Sequence, residues 1–345
     1  MPKRPCKKRL FSRRRFKKRL GPPEPPQEGK SVGGLPTVST PINIDMLELE
    51  LSSHPDRTFV AYLLEGLRQG FDTGVRDIPE TSLVCKNLLS ARTQPDVVQE
   101  LIDSELKKGF LAGPFETIPF PVYRINPIGI AEGKYSKKKR LIVDLSAPHD
   151  DKNNPSLNDL IDKNEYSLQY VTIDHAISVI KFLGQHSWLC KTDISDAFKL
   201  LPIHPSLWPF HGIMWSQKYY FYTRLVFGSR SSPKIFDTLS TAICWILKNR
   251  YQIHHVLHLL DDFLTVDAPN DNAEDTMVKL LEVFDTLNIP IAKHKTMGPA
   301  TDLEYLGIIL DTANMQARLP EQKINRICNF LVDFKDRKSC TKRET

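Results

Sequence analysis

The chain has 345 residues, 41% of them hydrophobic and 26% charged, with a formal net charge of +6. That is ordinary globular composition, long enough for a sizeable core divided among two or three subdomains. No apolar run approaches the about 18 residues that a membrane span needs, and the basic N-terminus lacks the apolar stretch of a secretory signal.

Six cysteines (Cys6, Cys85, Cys190, Cys244, Cys328 and Cys340) are scattered without a Cys-x-x-Cys pair. Their spacing argues against a zinc site or a disulfide framework and for a reducing, intracellular setting. The charge is uneven. Residues 1–20 hold eleven Lys or Arg and no acid, leaving 36 basic residues against 41 acidic ones. Any nucleic-acid affinity of the body therefore has to come from local arrangement.

Residues 1–40, basic and then rich in Pro and Gly, read as a disordered arm. Nuclear import, contact with phosphate backbones and a plain solvated tail all fit it, so nucleus and cytoplasm both stay open. Asp56 caps a predicted helix whose apolar positions (Val60, Leu63, Leu64, Leu67) follow helical spacing to about Gly70. A second helix runs from about Pro95 to Gly109. Proline keeps 113–127 extended. A strand is expected over 140–145, after a loop carrying Lys134, Lys137, Lys138 and Lys139. A helix over 173–183 closes at Gly184.

The remaining elements come in an informative order: a strand over 188–194, an aromatic hairpin through 219–226, and a helix from Pro233. Two short strands then meet at Asp261 and Asp262. A helix through Met277 and Leu287 leads to strands at 303–310 and 315–319, with a last helix from Glu321. Strand, helix, strand pair, helix, strand is the βαββαβ pattern of a split βαβ sheet, so the predicted fold class is α+β.

The sharpest chemical signal is Leu257-His258-Leu259-Leu260-Asp261-Asp262-Phe263-Leu264. Two adjacent acids interrupt an apolar run, where an unpaired charge is costly. A tight turn between short strands would present both at a sheet end. Asp193 sits in similar surroundings, and neighbouring strands would bring it to Asp261. Clustered carboxylates are hard oxygen ligands of the kind Mg²⁺ takes. Taken alone, the acids fit a capped turn and a strand end as well as a cation seat.

At this point the sequence resembles the reverse transcriptases, most closely the polymerases of DIRS-like, tyrosine-recombinase retrotransposons, over roughly residues 41–335. Asp193-Ile194-Ser195-Asp196-Ala197-Phe198 looks like the family's first catalytic motif, and Leu259-Leu260-Asp261-Asp262 like its x-x-Asp-Asp box, with Leu259 where Tyr is common. Leu225-Val226-Phe227-Gly228-Ser229-Arg230-Ser231-Ser232-Pro233 resembles the motif that opens the nucleotide-contacting helix. Arg140-Leu141-Ile142-Val143-Asp144-Leu145 resembles the fingers strand, and Tyr305-Leu306-Gly307-Ile308 the primer grip.

The resemblance implies a right-hand polymerase: fingers over 41–187 with the 205–225 hairpin, a palm over 188–319, and the start of a thumb over 320–345. It implies RNA-directed DNA polymerase activity through two Mg²⁺ ions, with Mn²⁺ as a substitute, held by Asp193, Asp261 and Asp262. Arg140 and Lys139 would bind the triphosphate, Gly228 would allow close backbone approach, and Phe198 would exclude ribose. Lys295 would act as general acid, with Lys293 as its competitor. Tyr305, Leu306 and Gly307 would grip the primer. The implied partners are a primer–template, as RNA–DNA hybrid or DNA duplex, and deoxynucleoside triphosphates. A parent polyprotein with RNase H and recombinase parts is implied too. Two rival readings stand beside this one: a decayed or domesticated copy that folds without polymerising, and a nucleic-acid-binding protein that works through its basic arm.

Overall fold

A computed structural model describes residues 35–133, 137–149, 151 and 153–335. The basic arm up to residue 34, Lys134 and the last residues of the expected thumb start (336–345) lie outside the described residues. The chain divides after Pro36, and all helices and strands among the described residues belong to the unit that begins at Thr37.

Polar caps and apolar faces set the first elements. Helix α1 (Ile44–Glu50) starts at Asn43, whose side chain accepts from Met46 N–H at 3.2 Å. Helix α2 (Arg57–Gln69) starts at Asp56, which accepts from Phe59 N–H at 2.9 Å. Strand β1 (Leu83–Val84), helices α3 (Leu89–Arg92) and α4 (Pro95–Lys107), and strands β2 (Leu111–Phe115), β3 (Arg124–Ile125), β4 (Ile128–Glu132) and β5 (Lys139–Val143) follow. Helix α5 (Ile173–Leu183) leads to β6 (Trp188–Asp193), then β7 (Gly212–Trp215), β8 (Lys218–Tyr222) and the long α6 (Ser232–Asn249). Strands β9 (Val256–Leu259) and β10 (Asp262–Asp267) form a hairpin before α7 (Ala273–Thr286). Strands β11 (Met297–Ala300), β12 (Asp302–Tyr305), β13 (Ile308–Asp311) and β14 (Gln316–Arg318) precede α8 (Glu321–Phe334). Among the described residues no helix is long and apolar enough to cross a membrane.

The central sheet is antiparallel, in the order β11-β6-β10-β9. With α6 between β6 and β9, and α7 between β10 and β11, this is the split βαβ arrangement expected from the sequence. Strand alternation divides its faces. Phe263 packs edge-on against Phe284 of α7. Leu264 and Val266 lie in the opposite core with Leu189, with Ala176 and Ile180 of α5, and with Leu303, Tyr305 and Leu310. A five-stranded sheet (β1-β3-β7-β8-β2), the β4–β5 pair and the three-stranded β12-β13-β14 sheet complete the body.

Three elements differ from expectation. The strand that closes the central sheet is β11, not the predicted 303–310 segment. Its Gly298-Pro299 pair breaks the register between Met297 and Ala300 and hides the strand in the sequence. The 303–310 segment is itself a hairpin, β12 and β13, in a separate sheet. The aromatic hairpin begins earlier, at Gly212, and turns at Ser216 and Gln217, both at positive φ (48° and 60°). Phe263 is fully buried between the sheet and α7. Phe263→Ala should lower the unfolding free energy by about 3–5 kcal/mol. A denaturant melt should show this as a lower midpoint with unchanged slope.

Candidate active site

The register of the central sheet brings the acids together. Asp193 at the end of β6 lies directly opposite Asp262 at the start of β10. Facing residues of an antiparallel pair stand about 4.5–5.5 Å apart at Cα and share a face. Asp261 is the neighbouring residue, in the two-residue turn Leu260-Asp261 closed by Leu259 and Asp262. Leu260 takes a φ of 54°, which costs about 1–2 kcal/mol in a residue that carries a Cβ. Two bonds hold this turn in place. Ser240 of α6 donates its hydroxyl to Leu260 O at 2.8 Å, and Ile194 N–H donates to Asp261 O at 3.0 Å.

Crowding changes the acids. Burial, hydrogen bonding to Asp193 and the charges of Asp193 and Asp261 push the Asp262 carboxyl up to about 7. Asp261 is raised as well, chiefly by burial, while Lys295 and Arg140 act in the opposite direction. Lys295 answers part of this excess, its Nζ lying 2.7 Å from Asp193 Oδ2. The competing Lys293 lines a surface groove with Asp285 and Asn288 instead.

Among the described residues no group of three or more Asp, Glu, His or Cys stands ready to enclose a metal as the side chains lie. The donor set still fits a hard divalent cation in its chemistry: Asp193, Asp261 and Asp262 lie at one sheet end, and Asp262 is raised chiefly by burial and further by Asp193 and Asp261.

The other expected residues distribute unevenly. Arg140, exposed on β5, lies within electrostatic reach of Asp261. Lys139 is not brought to the acids: its Nζ donates to Gln94 Oε1 at 2.6 Å. Gly228 does allow a close approach, with φ at 98° and room only for hydrogen, since a Cβ would meet Val143 O at 2.8 Å. The loop before α6 is thus pressed against the strand that carries Arg140. Asn158 links the same loop to the segment just after β5: its side chain donates to Gly228 O at 2.8 Å and accepts from Arg230 N–H at 2.8 Å, while its N–H donates to Leu145 O at 3.0 Å. Nothing in the linear pattern marks Asn158 for this role.

Phe198 is only 6% exposed, packed against Phe236 and, at 4.5 Å between ring centroids, Phe227. Phe227 is 52% exposed. Its place in the 225–233 motif gives it no role by itself, because exposure of one ring over another cannot be read from spacing. In the expected primer grip, Tyr305 is buried, its hydroxyl without a hydrogen-bond partner among the described residues. Leu306 and Gly307 form the β12–β13 turn, both at positive φ (49° and 78°), the two-residue type I′ pattern. Lys323 of α8 donates to Gly307 O at 2.6 Å.

A split βαβ sheet with carboxylates at its hairpin tip, flanked by a strand offering an arginine, defines a right-hand polymerase palm and fingers. The family described as "Reverse transcriptase (RNA-dependent DNA polymerase)" matches residues 122–310, more than half of the chain. The chain belongs to the reverse transcriptase family, whose members generally use divalent metal ions.

The Pro-Pol polyprotein of Simian foamy virus type 1 is 22% identical over 220 residues, 64% of this chain and 17% of that one. The Gag-Pro-Pol polyprotein of Human T-cell leukemia virus 2 is 22% identical over 125 residues, covering 34% of this chain and 9% of that one. The foamy viral protease-reverse transcriptase solved with an RNA/DNA hybrid superposes with a TM-score of 0.55 at 17% identity, covering 86% of this chain and 38% of that one. The foamy viral protease-reverse transcriptase dRH, solved with double-stranded DNA, gives 0.52 at 18% identity, covering 90% of this chain and 52% of that one. The chain therefore spans a minor part of the polyproteins and about half or less of these two solved chains.

Asp262 is harder to ionise in the folded chain, at about 7, than at its ordinary 3.8. The folded state thus holds a proton that the unfolded state has lost, and stability falls as pH rises through that window. Asp262→Asn removes this penalty. Without divalent ions it should match the wild type near about pH 4 and exceed it by on the order of 2 kcal/mol near about pH 8, allowing for partial exposure. Thermal melts at both pH values check this; an equal gain at both would contradict it.

Proposed function

We propose that this chain is an RNA-directed DNA polymerase domain of a retroelement, extending a primer with deoxynucleotides on an RNA or DNA template. The observation that carries the reading is the register pairing of Asp193 with Asp262, Asp261 beside them, at the tip of a palm sheet. The affiliation with DIRS-like elements belongs to this proposal and rests on the resemblance over residues 41–335.

In this reading Asp193, Asp261 and Asp262 hold two Mg²⁺ ions, with Mn²⁺ as a substitute. Bound there, such ions lower the pKa of a primer hydroxyl and neutralise triphosphate charge. Arg140 binds triphosphate oxygens through its planar fork of donors. Phe227, backed by Phe198, walls the sugar and disfavours a 2′-hydroxyl. Lys295, once released from Asp193, donates a proton to the departing pyrophosphate. Leu306 and Gly307 carry the primer strand at their turn. Base pairing selects the nucleotide, so the protein meets shape and backbone rather than sequence.

A second reading, a copy that folds and binds nucleic acid without polymerising, draws on Leu259 at the position where the family commonly has Tyr. Primer extension with Mg²⁺ on an RNA template separates the two. Template-directed incorporation is expected, falling by at least about 100-fold in Asp261→Asn with folding intact. No incorporation by well-folded wild-type protein would leave the second reading standing.

A further inference from the structure

Arg224 follows β8 and is only 7% exposed. Its Nη2 donates to Ser39 Oγ at 2.9 Å, while Nε and Nη1 find no acceptor among the described residues. Among the described residues no carboxylate pairs with it, and burial lowers its pKa to about 10. Nearby cations are treated differently. Lys108 lies 2.7 Å from an Asp196 oxygen, and the buried Lys199 lies 2.9 Å from a Glu105 oxygen. A buried charge left without a counter-charge is strongly destabilising, and buried donors are nearly always satisfied. Arg224 lines a cavity of about 390 Å³ together with Ser39, Thr40, Lys108, Phe110 and Asp196.

We propose that this cavity is an anion site for a phosphate group, with Arg224 as its main ligand and Ser39 and Lys108 beside it. Asp196 neutralises Lys108, so the uncompensated charge in the cavity is that of Arg224. As the side chain lies, Nε and Nη1 are closed off and Nη2 is taken by Ser39, so the fork that would meet phosphate oxygens is the Nη1/Nη2 edge, freed when Ser39 turns away. Ser39 is the movable member. Its hydroxyl accepts from Arg224 now and can turn to donate to an anion. The segment around it stays anchored, because Thr40 donates to Leu200 O at 2.7 Å and Asn288 donates to Pro41 O at 2.6 Å. The cavity shares no residue with the Arg140 strand or the three acids, so the site is separate from the expected triphosphate site. The phosphate comes from a free ion or nucleotide, or from the backbone of a bound strand.

Thermal melts of the whole chain test this, with sodium phosphate against sodium chloride at matched ionic strength, and with a short single-stranded oligonucleotide. The wild type and Arg140→Gln should show a saturable rise in melting temperature that Arg224→Gln lacks. Ser39→Asp places a carboxylate on the guanidinium. It should melt higher without phosphate and lose the response, which keeps the test decisive if Arg224→Gln folds poorly. A rise with the inorganic ion assigns free phosphate, and a rise with the oligonucleotide alone assigns a strand. A phosphate response that survives in both Arg224→Gln and Ser39→Asp overturns the proposal, as does a wild type that responds to neither probe beyond chloride.

Discussion

Like charges forced into contact by strand register are the constraint on which the rest of this structure depends. Asp193 and Asp262 face each other because β6 and β10 pair in one register, and a slip of one residue would turn every side chain of a strand to the other face. Apart from a hydrogen bond that forms when Asp262 holds a proton, nothing local favours that meeting. It persists because Leu264 and Val266 on one face, and Phe263 against Phe284 on the other, are fixed by burial. Apolar packing thus holds the acids where electrostatics alone would part them. Lys295 relieves part of the repulsion.

Strain is concentrated at the same spot. Leu260 adopts a positive φ without being glycine, and it is held from two sides, by Ser240 and by the Ile194–Asp261 backbone bond. A strained turn clamped to a helix and a strand keeps Asp261 beside the other acids instead of letting it swing outward. A comparable device sets the fingers side. Gly228 permits a close contact with Val143 that a Cβ would block, and Asn158 joins Gly228 to Leu145, just beyond that strand. The acids and Arg140 are therefore positioned by backbone-level contacts, which fix geometry more tightly than long side chains do.

Much of this was legible in the sequence. The βαββαβ order follows from apolar periodicity, and acids interrupting an apolar strand stand out on charge alone. Asp56 and Gly70 bound α2 as capping chemistry requires. What stayed hidden has physical reasons. Strand β11 carries Gly298-Pro299 and so lacks a strand signature. The exposure of Phe227 over the buried Phe198 depends on tertiary packing. Lys139 and Arg140 are adjacent in sequence, yet Lys139 is tied to Gln94 of the segment before α4 while Arg140 reaches towards the acids. Asn158 and Arg224 act through partners distant in the chain, which no spacing rule reveals.

The most direct test of the acid cluster as a cation seat is calorimetric titration of Mg²⁺, and then Mn²⁺, into the whole chain. Saturable binding is expected in the wild type, tighter binding in Lys295→Met because the competing ammonium is gone, and loss of binding in Asp193→Asn. Affinity unchanged in both variants would contradict the account, since the ions would then be bound somewhere other than between β6 and β10.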